Sequence, residues 1–473
     1  MRNYIETPAA ELEANRLCAK RINEQISPLG LKYHIEAYGC QMNGHDSERI
    51  AGMLVECGFT KCDDKASADF IIFNTCCVRD HAEQRVFGNV GALKALKDAN
   101  PRLIIAVCGC MMQQEKVSRH LYKRFPYVDI IFGTNELHRL PTMIEAALMG
   151  ERTLMVRNID GEVTEGIPIL RNGTFSTNVN IMFGCNNFCS YCIVPYVRGR
   201  ERSRSFERIF SEVEDVAKCG FSEITLLGQN VNSYCSPESG MKFPALLDKI
   251  SGIDGIERIR FMTSHPKDLS DELIEVMATN DKVCKHIHLP VQSGSTRILE
   301  QMNRRYSREH YLELVGKLRQ RVQDIEITTD IIVGFPGETE EDFNQTLSLV
   351  REVGFSAAFT FMYSPRPGTK AASMPNQIDP AEKKRRLLAL NAVEAEMLKT
   401  NNQKFIGKVG KVLVEGFDVR DGQYFMNGRL SNFKSVYFPF DADEAAVRGM
   451  VGKTVDVNIV DTTNNSLIGE LNG

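Results

Sequence analysis

The chain has 473 residues, of which 43% are hydrophobic and 25% are charged, and it contains no tryptophan. This composition is typical of a globular protein with two or three domains. The net charge of −4 argues against bulk affinity for nucleic acid, so any contact with RNA must come from local patches. Residues 1–30 lack the apolar core of a signal peptide, and no apolar run approaches the roughly 20 residues that span a bilayer. We therefore expect a cytoplasmic protein.

The first part of the chain predicts an α/β domain. Residues 1–30 are expected to form a polar leader with one helix around Ala9–Ile26. From residue 31, apolar strand candidates alternate with helix-like segments, which is the rhythm of a parallel sheet with flanking helices. Strands are predicted at 32–38, 68–74, 102–107 and 128–132, and helices at 46–57, 79–99, 113–124 and 136–148. The domain is expected to cover residues 31–149, followed by a linker at 150–175.

Cysteines are unusually placed in this domain. The fourteen cysteines of the chain argue for a reducing compartment, where they serve metals or redox chemistry. Cys40, Cys76 and Cys110 follow the first three predicted strands, and ligands of open α/β sheets bind outside these strand ends. Their thiols can therefore converge on a metal site. Spacing alone does not exclude the neighbours Cys77 and Cys108, and each thiol could instead be a small buried hydrophobe.

The middle and end of the chain predict two barrels. Strands at 178–183, 222–228, 258–264, 286–291, 325–334 and 357–363 alternate with helices at 206–218, 243–250, 271–279, 308–321 and 340–353. They indicate a partial (β/α)6 barrel over residues 171–401, with its site in the loops at the strand carboxyl ends. A helix that starts with Asp379 and Pro380 leads out of it. Short strands at 409–414, 423–425, 435–438, 454–460 and 466–471 then predict a small β-barrel over residues 403–471.

A second cysteine group follows the first strand of the central barrel. Cys185, Cys189 and Cys192 have the spacing C-x-x-x-C-x-x-C, which allows one tight loop to turn three sulfurs onto a shared ion or cluster. A zinc site would need a fourth nearby ligand, and the next cysteine, Cys219, lies behind a predicted helix. Three thiolates on a four-iron cube leave one iron open for chemistry. A three-cysteine zinc knuckle completed from elsewhere remains the alternative.

Four further segments rich in hydrogen-bonding groups end strands of the central barrel. They are 227–234, 286–295, 330–339 and 363–369. Any one of them could be only a sharp turn, but four at one rim favour a binding site. His265 and His286 are interpreted as satisfied core groups.

The cysteine loop, with Tyr191 before its last cysteine, resembles the signature of the radical S-adenosylmethionine (SAM) enzymes. In that family the open iron binds SAM, and an electron from the cluster splits it to give a 5′-deoxyadenosyl radical. The chain from about Tyr33 to Leu471 closely resembles the methylthiotransferases, a radical SAM family with an amino-terminal cluster domain and a carboxyl-terminal TRAM barrel.

Several segments carry this resemblance. The auxiliary-cluster motifs of the family are matched by Tyr38-Gly39-Cys40-Gln41-Met42-Asn43, Asn74-Thr75-Cys76-x-Val78-Arg79 and Gly109-Cys110-Met111. The resemblance thereby selects Cys76 over Cys77 and Cys110 over Cys108. Other matches are Pro195, Arg198-Gly199-x-Glu201-Arg202-Ser203-Arg204, Met302-Asn303-Arg304 and, for the TRAM signature, Gly428-Arg429-x-x-Asn432-Phe433-Lys434. Arg305 stands where the family often has glycine. Segments 228–234 and 263–266 are similar to the MiaB-type branch, which modifies isopentenylated adenosine in tRNA.

The resemblance implies two 4Fe–4S clusters and SAM as cofactors. Cys185, Cys189 and Cys192 would hold the cluster that reduces SAM. Cys40, Cys76 and Cys110 would hold a second cluster, whose open iron presents a sulfur that another SAM methylates. The radical would take the hydrogen from carbon 2 of N6-isopentenyladenosine next to the anticodon (adenosine 37), where the methylthio group is delivered. The candidate cofactor contacts are Tyr191, Gly228, Gln229, Asn230, His288, Gln292, Ser293, Arg304, Asp330, Gly334 and Tyr363.

The implied partners are the anticodon stem-loop of a tRNA and an electron donor such as flavodoxin or ferredoxin. The protein is expected to be a monomer and not to bind membranes. One alternative is a methylthiotransferase acting on a ribosomal protein aspartate or on threonylcarbamoyladenosine. A zinc-containing RNA-binding module is the alternative outside enzymes.

Alternating arginines supply candidate RNA contacts. Arg198, Arg200, Arg202 and Arg204 would project to one side of an extended segment. They could form a solvated, salt-bridged face, but the TRAM resemblance and the basic helix start at 383–386 favour contact with phosphates. Arg429 and Lys434 of the TRAM signature are the other predicted RNA contacts.

Overall fold

A computed structural model describes residues 5–77, 82–157 and 162–472, and the chain divides into two compact units. The first comprises Met1–Asn172, Asn180–Asn186 and Cys192–Arg208, and the second comprises Gly173–Val179, Asn187–Tyr191 and Ile209–Gly473. Within the described ranges, no helix is both long enough and apolar enough to cross a bilayer.

The first unit is built on a six-stranded parallel sheet with the strand order β3-β2-β4-β5-β6-β7. Up to residue 172 its elements are β1 (Ile5–Glu6), α1 (Ala9–Ile26), β2 (Lys32–Ala37), α2 (Gln41–Glu56), β3 (Thr60–Lys61), β4 (Phe70–Thr75), α3 (Ala82–Ala92), α4 (Lys94–Ala99), β5 (Ile104–Gly109), α5 (Glu115–Arg124), β6 (Ile130–Phe132), α6 (Leu140–Leu148), β7 (Thr153–Met155) and β8 (Glu162–Val163). Phe70 and Ile72 of β4 pack in one apolar cluster, and Ile71 and Phe73 pack in another. This alternation shows that both faces of the sheet are covered, as the near-continuous apolar strands predict.

The predicted α/β fold of this unit is confirmed, with differences in detail. The sheet gains two short edge strands, β3 and β7, that the sequence pattern does not reveal. The predicted helix 79–99 divides into α3 and α4, and its first residues lie outside the described ranges. Helix α1 is not a separate leader, because Cys18, Ala19, Ile22 and Ile26 on one of its faces enter the core of the first unit.

The second unit contains the predicted partial barrel. The elements from residue 176 to 403 are β9 (Ser176–Asn180), β10 (Met182–Phe183), α7 (Val194–Val197), β11 (Arg202–Ser203), α8 (Phe206–Lys218), β12 (Glu223–Leu227), α9 (Phe243–Ser251), β13 (Arg258–Phe261), α10 (Asp271–Thr279), β14 (His286–His288), α11 (Thr296–Gln301), α12 (Arg308–Arg321), β15 (Glu326–Val333), α13 (Glu340–Val353), β16 (Ala357–Met362) and α14 (Pro380–Gln403). Of these, β10, α7 and β11 belong to the first unit. The barrel strands form two sheets, β13-β12-β9 and β14-β15-β16, and a parallel bridge joins Ile259 to Val283 between them.

Local sequence explains where the barrel helices begin. Ser270, Ser295, Ser307 and Thr339 each accept a backbone N–H as the N-cap of α10, α11, α12 and α13. The caps of α10, α11 and α13 lie in the loops that follow β13, β14 and β15, so these strand-to-helix loops lie at one edge, whereas α12 follows α11 directly. The short helix α11 is absent from the sequence prediction, although its Ser295 cap is a readable signal.

The carboxyl-terminal part forms the predicted small barrel. Strands β17 (Val409–Arg420), β18 (Gln423–Arg429), β19 (Ser435–Pro439), β20 (Thr454–Thr462) and β21 (Leu467–Leu471) close in the order β17-β18-β19-β21-β20. Buried residues alternate along β19, where Val436 and Phe438 face the interior, and the buried residues of the other strands fill the rest of the core. Helix α15 (Glu444–Met450), between β19 and β20, is not anticipated by the pattern.

Candidate functional site

Three predicted cluster ligands lie at the carboxyl-terminal edge of the sheet in the first unit. Cys40 follows β2, Cys76 follows β4 and Cys110 follows β5. The Sγ atoms of Cys40 and Cys110 are 3.8 and 3.7 Å from Oδ1 of Asn43. Cys76 adjoins Gly39, since a Cβ built on that glycine would lie 2.8 Å from the Cys76 Sγ. The fold therefore brings together three thiols that are far apart in the sequence.

Two glycines allow the strand ends to approach so closely. Gly39 has φ +118° and Gly109 has φ +96°, a region that other residues rarely adopt. A Cβ on Gly39 would lie 2.4 Å from the Cβ of Cys76, and one on Gly109 would lie 2.4 Å from the backbone oxygen of Thr75. A larger residue at either position would push the cysteine loops apart.

Asn43 ties these loops together through its amide. Its Nδ2 donates to the backbone oxygens of Tyr38 and Thr75, at 3.1 and 2.9 Å. In turn, the Nδ2 of Asn74 donates to the backbone oxygen of Asn43 at 2.8 Å. Both amides are buried, so their hydrogen bonds fix the positions of the cysteines. The motifs contain both asparagines, but their sequence spacing gives no sign of this pairing.

The two neighbouring cysteines have different environments. Cys108 packs with Phe70 in the apolar cluster on one face of the sheet, and burial raises the pKa of its thiol. A hydrogen bond from Cys77, together with the charge of Arg198, lowers the pKa of Cys110. The same hydrogen bond and burial raise the pKa of Cys77. Within this pair the surroundings favour the thiolate form, which binds metal, at Cys110 over Cys77.

The guanidinium of Arg198 lies against this site. Its Nε donates to the Sγ of Cys110 at 3.1 Å, and its Nη2 donates to Oδ1 of Asn43 at 3.0 Å and to Oδ2 of Asp46 at 2.8 Å. The side chains of Arg198, Asp46 and Cys110 are charged or can become charged. All three are buried, as is the side chain of Asn43. The sequence predicts neither this contact nor the role of Asp46, which lies one helical turn after Asn43.

The predicted one-sided row of arginines is wrong for three of its four members. Arg198, Arg202 and Arg204 are buried, and only Arg200 is exposed. Arg204 donates from Nε and Nη2 to the two carboxylate oxygens of Glu165, at 2.7 and 2.6 Å. Strand β11 also pairs with β10, so this segment is part of the first unit and not an exposed arm. The three buried arginines are therefore not presented to solvent, and their predicted RNA contacts find no support in this structure.

We expect Arg204→Ala to lower the free energy of unfolding by about 3–5 kcal/mol, because it leaves the carboxylate of Glu165 buried without its counter-charge. Arg208→Ala is the matched control. Its partner Glu6 lies 2.9 Å away at the surface, so the loss should be at most about 1 kcal/mol. Denaturant unfolding followed by circular dichroism measures both. Equal losses would contradict the structural role of Arg204.

The TRAM-signature loop packs against the barrel strands of the second unit. Lys434 is buried, and its Nζ donates to Oδ1 of Asn402 at 2.7 Å and lies 3.8 Å from Oε2 of Glu326. The ring of Phe433 stacks on His286 with 4.7 Å between the centroids. The charge of Lys434 therefore has partners inside the protein, and its predicted RNA contact finds no support in this structure. His286 is a satisfied core group, as predicted.

The basic start of helix α14 is also largely internal. Lys383 donates to the backbone oxygen of Tyr363 at 3.0 Å, and Arg386 donates to Oε2 of Glu338 at 2.7 Å. Both basic side chains are buried, so the helix start adds less exposed positive charge than its sequence indicates. Arg429 is partly exposed, and its RNA contact stays a prediction.

The second cysteine group contributes to both units. Cys185 and Cys192 belong to the first and Cys189 to the second. In the first unit the backbone N–H of Cys185 donates to the oxygen of Gly199 at 3.2 Å. Gly184 before it has φ +71°, and a Cβ there would meet a backbone oxygen at 2.1 Å. Only glycine fits at this entrance to the cysteine loop.

In the second unit, Cys189 lies against Arg304. The guanidinium donates to the Sγ of Cys189 at 3.5 Å, to the backbone oxygen of Pro290 at 2.6 Å and to the hydroxyl of Tyr306 at 2.8 Å. Arg304 is buried. It therefore contacts a predicted cluster ligand directly, which the sequence does not predict, and its contact with SAM stays a prediction.

The other predicted cofactor contacts differ in their surroundings. Gly228 and Gln229 directly follow β12. Asn230 donates to Oδ2 of Asp268 at 2.6 Å, and the hydroxyl of Ser293 accepts from the N–H of Ser295 at 3.2 Å. Both side chains are buried and hold loops in place, so these contacts explain Asn230 and Ser293 without a cofactor.

Two aromatic candidates share one apolar cluster. Tyr191 and Tyr363 pack with Phe335, beyond the end of β15. Gly334 packs directly against Lys383, because a Cβ built on that glycine would lie 2.4 Å from the Cγ of Lys383. This arrangement places the tyrosines and Gly334 in the packing beside the strand ends.

His288 and Asp330 face one another on adjacent strands. The Nε2 of His288 is 3.5 Å from Oδ2 of Asp330, and its Nδ1 is 3.0 Å from the hydroxyl of Thr328. The ring of Phe359 meets the imidazole edge to face at 5.9 Å. The structure thus brings together two candidates that are 42 positions apart in the chain.

Buried polar atoms at the same edge lack hydrogen-bond partners within the described structure. They are Nδ2 and Oδ1 of Asn232, Oγ of Ser264, Nε2 of His265 and Oε1 of Gln292. Each such atom costs about 1–3 kcal/mol if it stays unpaired. At the carboxyl ends of barrel strands they indicate a polar ligand. Burial and the nearby Arg304 lower the pKa of His265 to about 2, so its ring is neutral, and its interpretation as a satisfied core group is wrong at Nε2.

Comparison with known families assigns the chain to a class. The model of the Radical SAM superfamily matches residues 179–350, that of Uncharacterized protein family UPF0004 matches 32–133, and that of the TRAM domain matches 403–471. Together with the barrel and the cysteine loop, these matches define a radical SAM enzyme, which uses an iron–sulfur cluster and SAM.

Curated relatives identify the family within that class. The tRNA-2-methylthio-N(6)-dimethylallyladenosine synthase of Caldicellulosiruptor saccharolyticus is 54% identical over 441 residues, which cover 93% of this chain and 92% of the relative. The synthase of the same name from Clostridium tetani is 51% identical over 440 residues, covering 93% and 96%. The chain belongs to the family of tRNA-2-methylthio-N(6)-dimethylallyladenosine synthases, which confirms the resemblance found in the sequence.

The fold is also similar to a solved structure. The radical SAM methyltransferase TsrM from Kitasatospora setae has a TM-score of 0.51 at 15% identity, covering 72% of this chain and 77% of that one. This similarity supports the radical SAM fold alone.

Proposed function

We propose that this chain methylthiolates tRNA at carbon 2 of N6-isopentenyladenosine next to the anticodon (adenosine 37). It would use two SAM molecules, one to methylate sulfur and one to generate the 5′-deoxyadenosyl radical. The observation that carries the proposal is the identity with synthases of that name over nearly the whole chain. The radical SAM and TRAM family matches agree with this chemistry and with an RNA substrate.

The proposal includes two 4Fe–4S clusters. Cys185, Cys189 and Cys192 would hold one and leave an iron open for SAM, and Cys40, Cys76 and Cys110 would hold the other. Support for the second set comes from the convergence of the Cys40 and Cys110 thiols around Asn43 and from the position of Cys76 beside Gly39. When bound, the first cluster supplies the electron that splits SAM, and the second presents the sulfur that is transferred.

Residues at the barrel edge would bind the polar groups of SAM. Asn232, Ser264, His265 and Gln292 carry buried atoms that await a hydrogen-bonding partner. The Nδ1 of His265 accepts from the backbone N–H of Lys267 at 3.2 Å, so the neutral imidazole carries its proton on Nε2 and can donate one hydrogen bond there. The apolar packing around Tyr191 would exclude water from this side of the site.

For substrate contact we propose Arg200 and Arg429, the two predicted RNA-binding residues that keep solvent exposure. The family resemblance supports an external electron donor such as flavodoxin or ferredoxin, and a monomeric enzyme.

An anaerobic assay tests the proposed function. Iron-reconstituted protein, SAM and a reductant are mixed with an anticodon stem-loop that carries isopentenyladenosine, and the digested nucleosides are analysed by mass spectrometry. We expect a methylthio mass gain on that adenosine and none on a control stem-loop with unmodified adenosine. Deoxyadenosine without the mass gain would move the substrate to the protein aspartate or threonylcarbamoyladenosine branch. If neither product forms and the protein binds zinc in place of iron, the result contradicts the proposal that this chain is an enzyme.

A further inference from the structure

The backbone that carries Arg198 is anchored independently of its side chain. Val197 packs in an apolar cluster of the first unit, and its backbone oxygen accepts from the hydroxyl of Thr134 at 2.8 Å. The N–H of Arg198 donates to the oxygen of Val194 at 2.8 Å. The position of the guanidinium is therefore set by the fold, and a change of this side chain leaves the anchoring contacts in place.

The side chain reaches three different acceptors at once. Its Nε points at the sulfur of Cys110, while Nη2 is held by Asn43 and Asp46 on helix α2. The planar guanidinium offers donors in a fixed fork, whereas the ammonium of lysine is a single point of charge. Asp46 balances the charge of Arg198 and fixes the plane that directs Nε toward the sulfur.

We propose that Arg198 is a positioning residue that sets the reduction potential of the cluster held by Cys40, Cys76 and Cys110. The inference rests on the proposed function, because it requires a cluster on these cysteines. Reduction adds negative charge to an iron–sulfur cluster, and hydrogen bonds to its sulfurs and nearby positive charge stabilise that charge. The contact from Arg198 to Cys110 therefore raises the reduction potential. The same contact keeps the Cys110 sulfur in one orientation.

Redox titration of the full chain tests this role. The parent protein carries Cys185→Ala, Cys189→Ala and Cys192→Ala, so that only the cluster of the first unit titrates, and its potential is followed by electron paramagnetic resonance. Arg198→Gln is compared with Arg198→Lys and with the matched control Arg119→Gln, in which the arginine lies exposed on helix α5. Iron and sulfide are counted in every variant.

We expect Arg198→Gln to shift the reduction equilibrium at least tenfold toward the oxidised cluster, which for one electron is about 59 mV to more negative potential. Arg198→Lys should give a smaller shift in the same direction, because it keeps the charge and loses the fork. Arg119→Gln should match the parent. An unchanged potential in Arg198→Gln at equal iron content would overturn the proposal. If Arg198→Gln does not assemble a cluster, an unchanged potential in Arg198→Lys overturns it.

Failure of the underlying proposal has a different signature. If the parent variant binds no iron while the wild-type chain does, there is no cluster on Cys40, Cys76 and Cys110. That result would overturn the second cluster and the role of Arg198 together. If the parent binds iron but its reduction potential is the same with and without the Arg198 substitutions, only the role of Arg198 is overturned.

Discussion

Replacing Cys185 by alanine should abolish SAM cleavage and methylthiolation together. The substitution removes one of three thiolates in the loop that would hold the SAM cluster, and without that cluster no electron reaches SAM. Both products, 5′-deoxyadenosine and the methylthio nucleoside, are quantified from the same anaerobic reaction by mass spectrometry. We expect both to fall to the level of a reaction without enzyme.

The matched control is Cys219→Ala. Cys219 is an exposed cysteine just beyond helix α8, and it belongs to neither proposed cluster. This variant should form both products at the wild-type level. Deoxyadenosine formation that persists in Cys185→Ala would show that the loop cysteines do not hold the SAM cluster.

Replacing Cys76 by alanine should separate the two activities. The methylthio product should be lost, because the second cluster loses a ligand, while SAM cleavage continues on the other cluster. Cys62→Ala, in the same unit but remote from Asn43 in its contacts, serves as the control and should retain both products. The same two mass-spectrometric readings measure this split.

Full product from Cys76→Ala would contradict the ligand assignment. It would mean that Cys77 or Cys108 takes the place of Cys76. The buried position of Cys108 in the apolar cluster argues against its taking that place.

Much of the fold could be predicted from local sequence patterns. Strands β4 and β5 begin with continuous apolar runs, at 70–73 and 104–108, and the length of these runs identifies them as buried strands. Helices α8, α10, α12 and α13 follow their periodic patterns with the predicted bounds. Short edge strands such as β3 have too few residues for a pattern, and their pairing depends on a neighbour elsewhere in the chain. Helix α1 has a readable apolar face, but only tertiary packing shows that this face is buried.

The cysteines could be predicted because a motif records their chemistry in the sequence itself. The arginines could not, because alternation along a segment does not reveal what each side chain meets. Arg198 pairs with Asp46 across 152 positions, and Arg204 pairs with Glu165 across 39. Because of these long-range ion pairs, arginines that are expected at the surface are instead paired inside the protein. The unsatisfied Nε2 of His265 is likewise visible only once its neighbours are in place.

Transfer of hydrogen from carbon 2 of the adenine tests the proposed radical methylthiolation most directly. The stem-loop is prepared with deuterium at carbon 2 of the isopentenyladenosine, and the masses of 5′-deoxyadenosine and of the nucleosides are measured in one reaction. We predict that deoxyadenosine gains deuterium in step with formation of the methylthio nucleoside. A methylthio product accompanied by deoxyadenosine without deuterium would contradict hydrogen abstraction at that carbon.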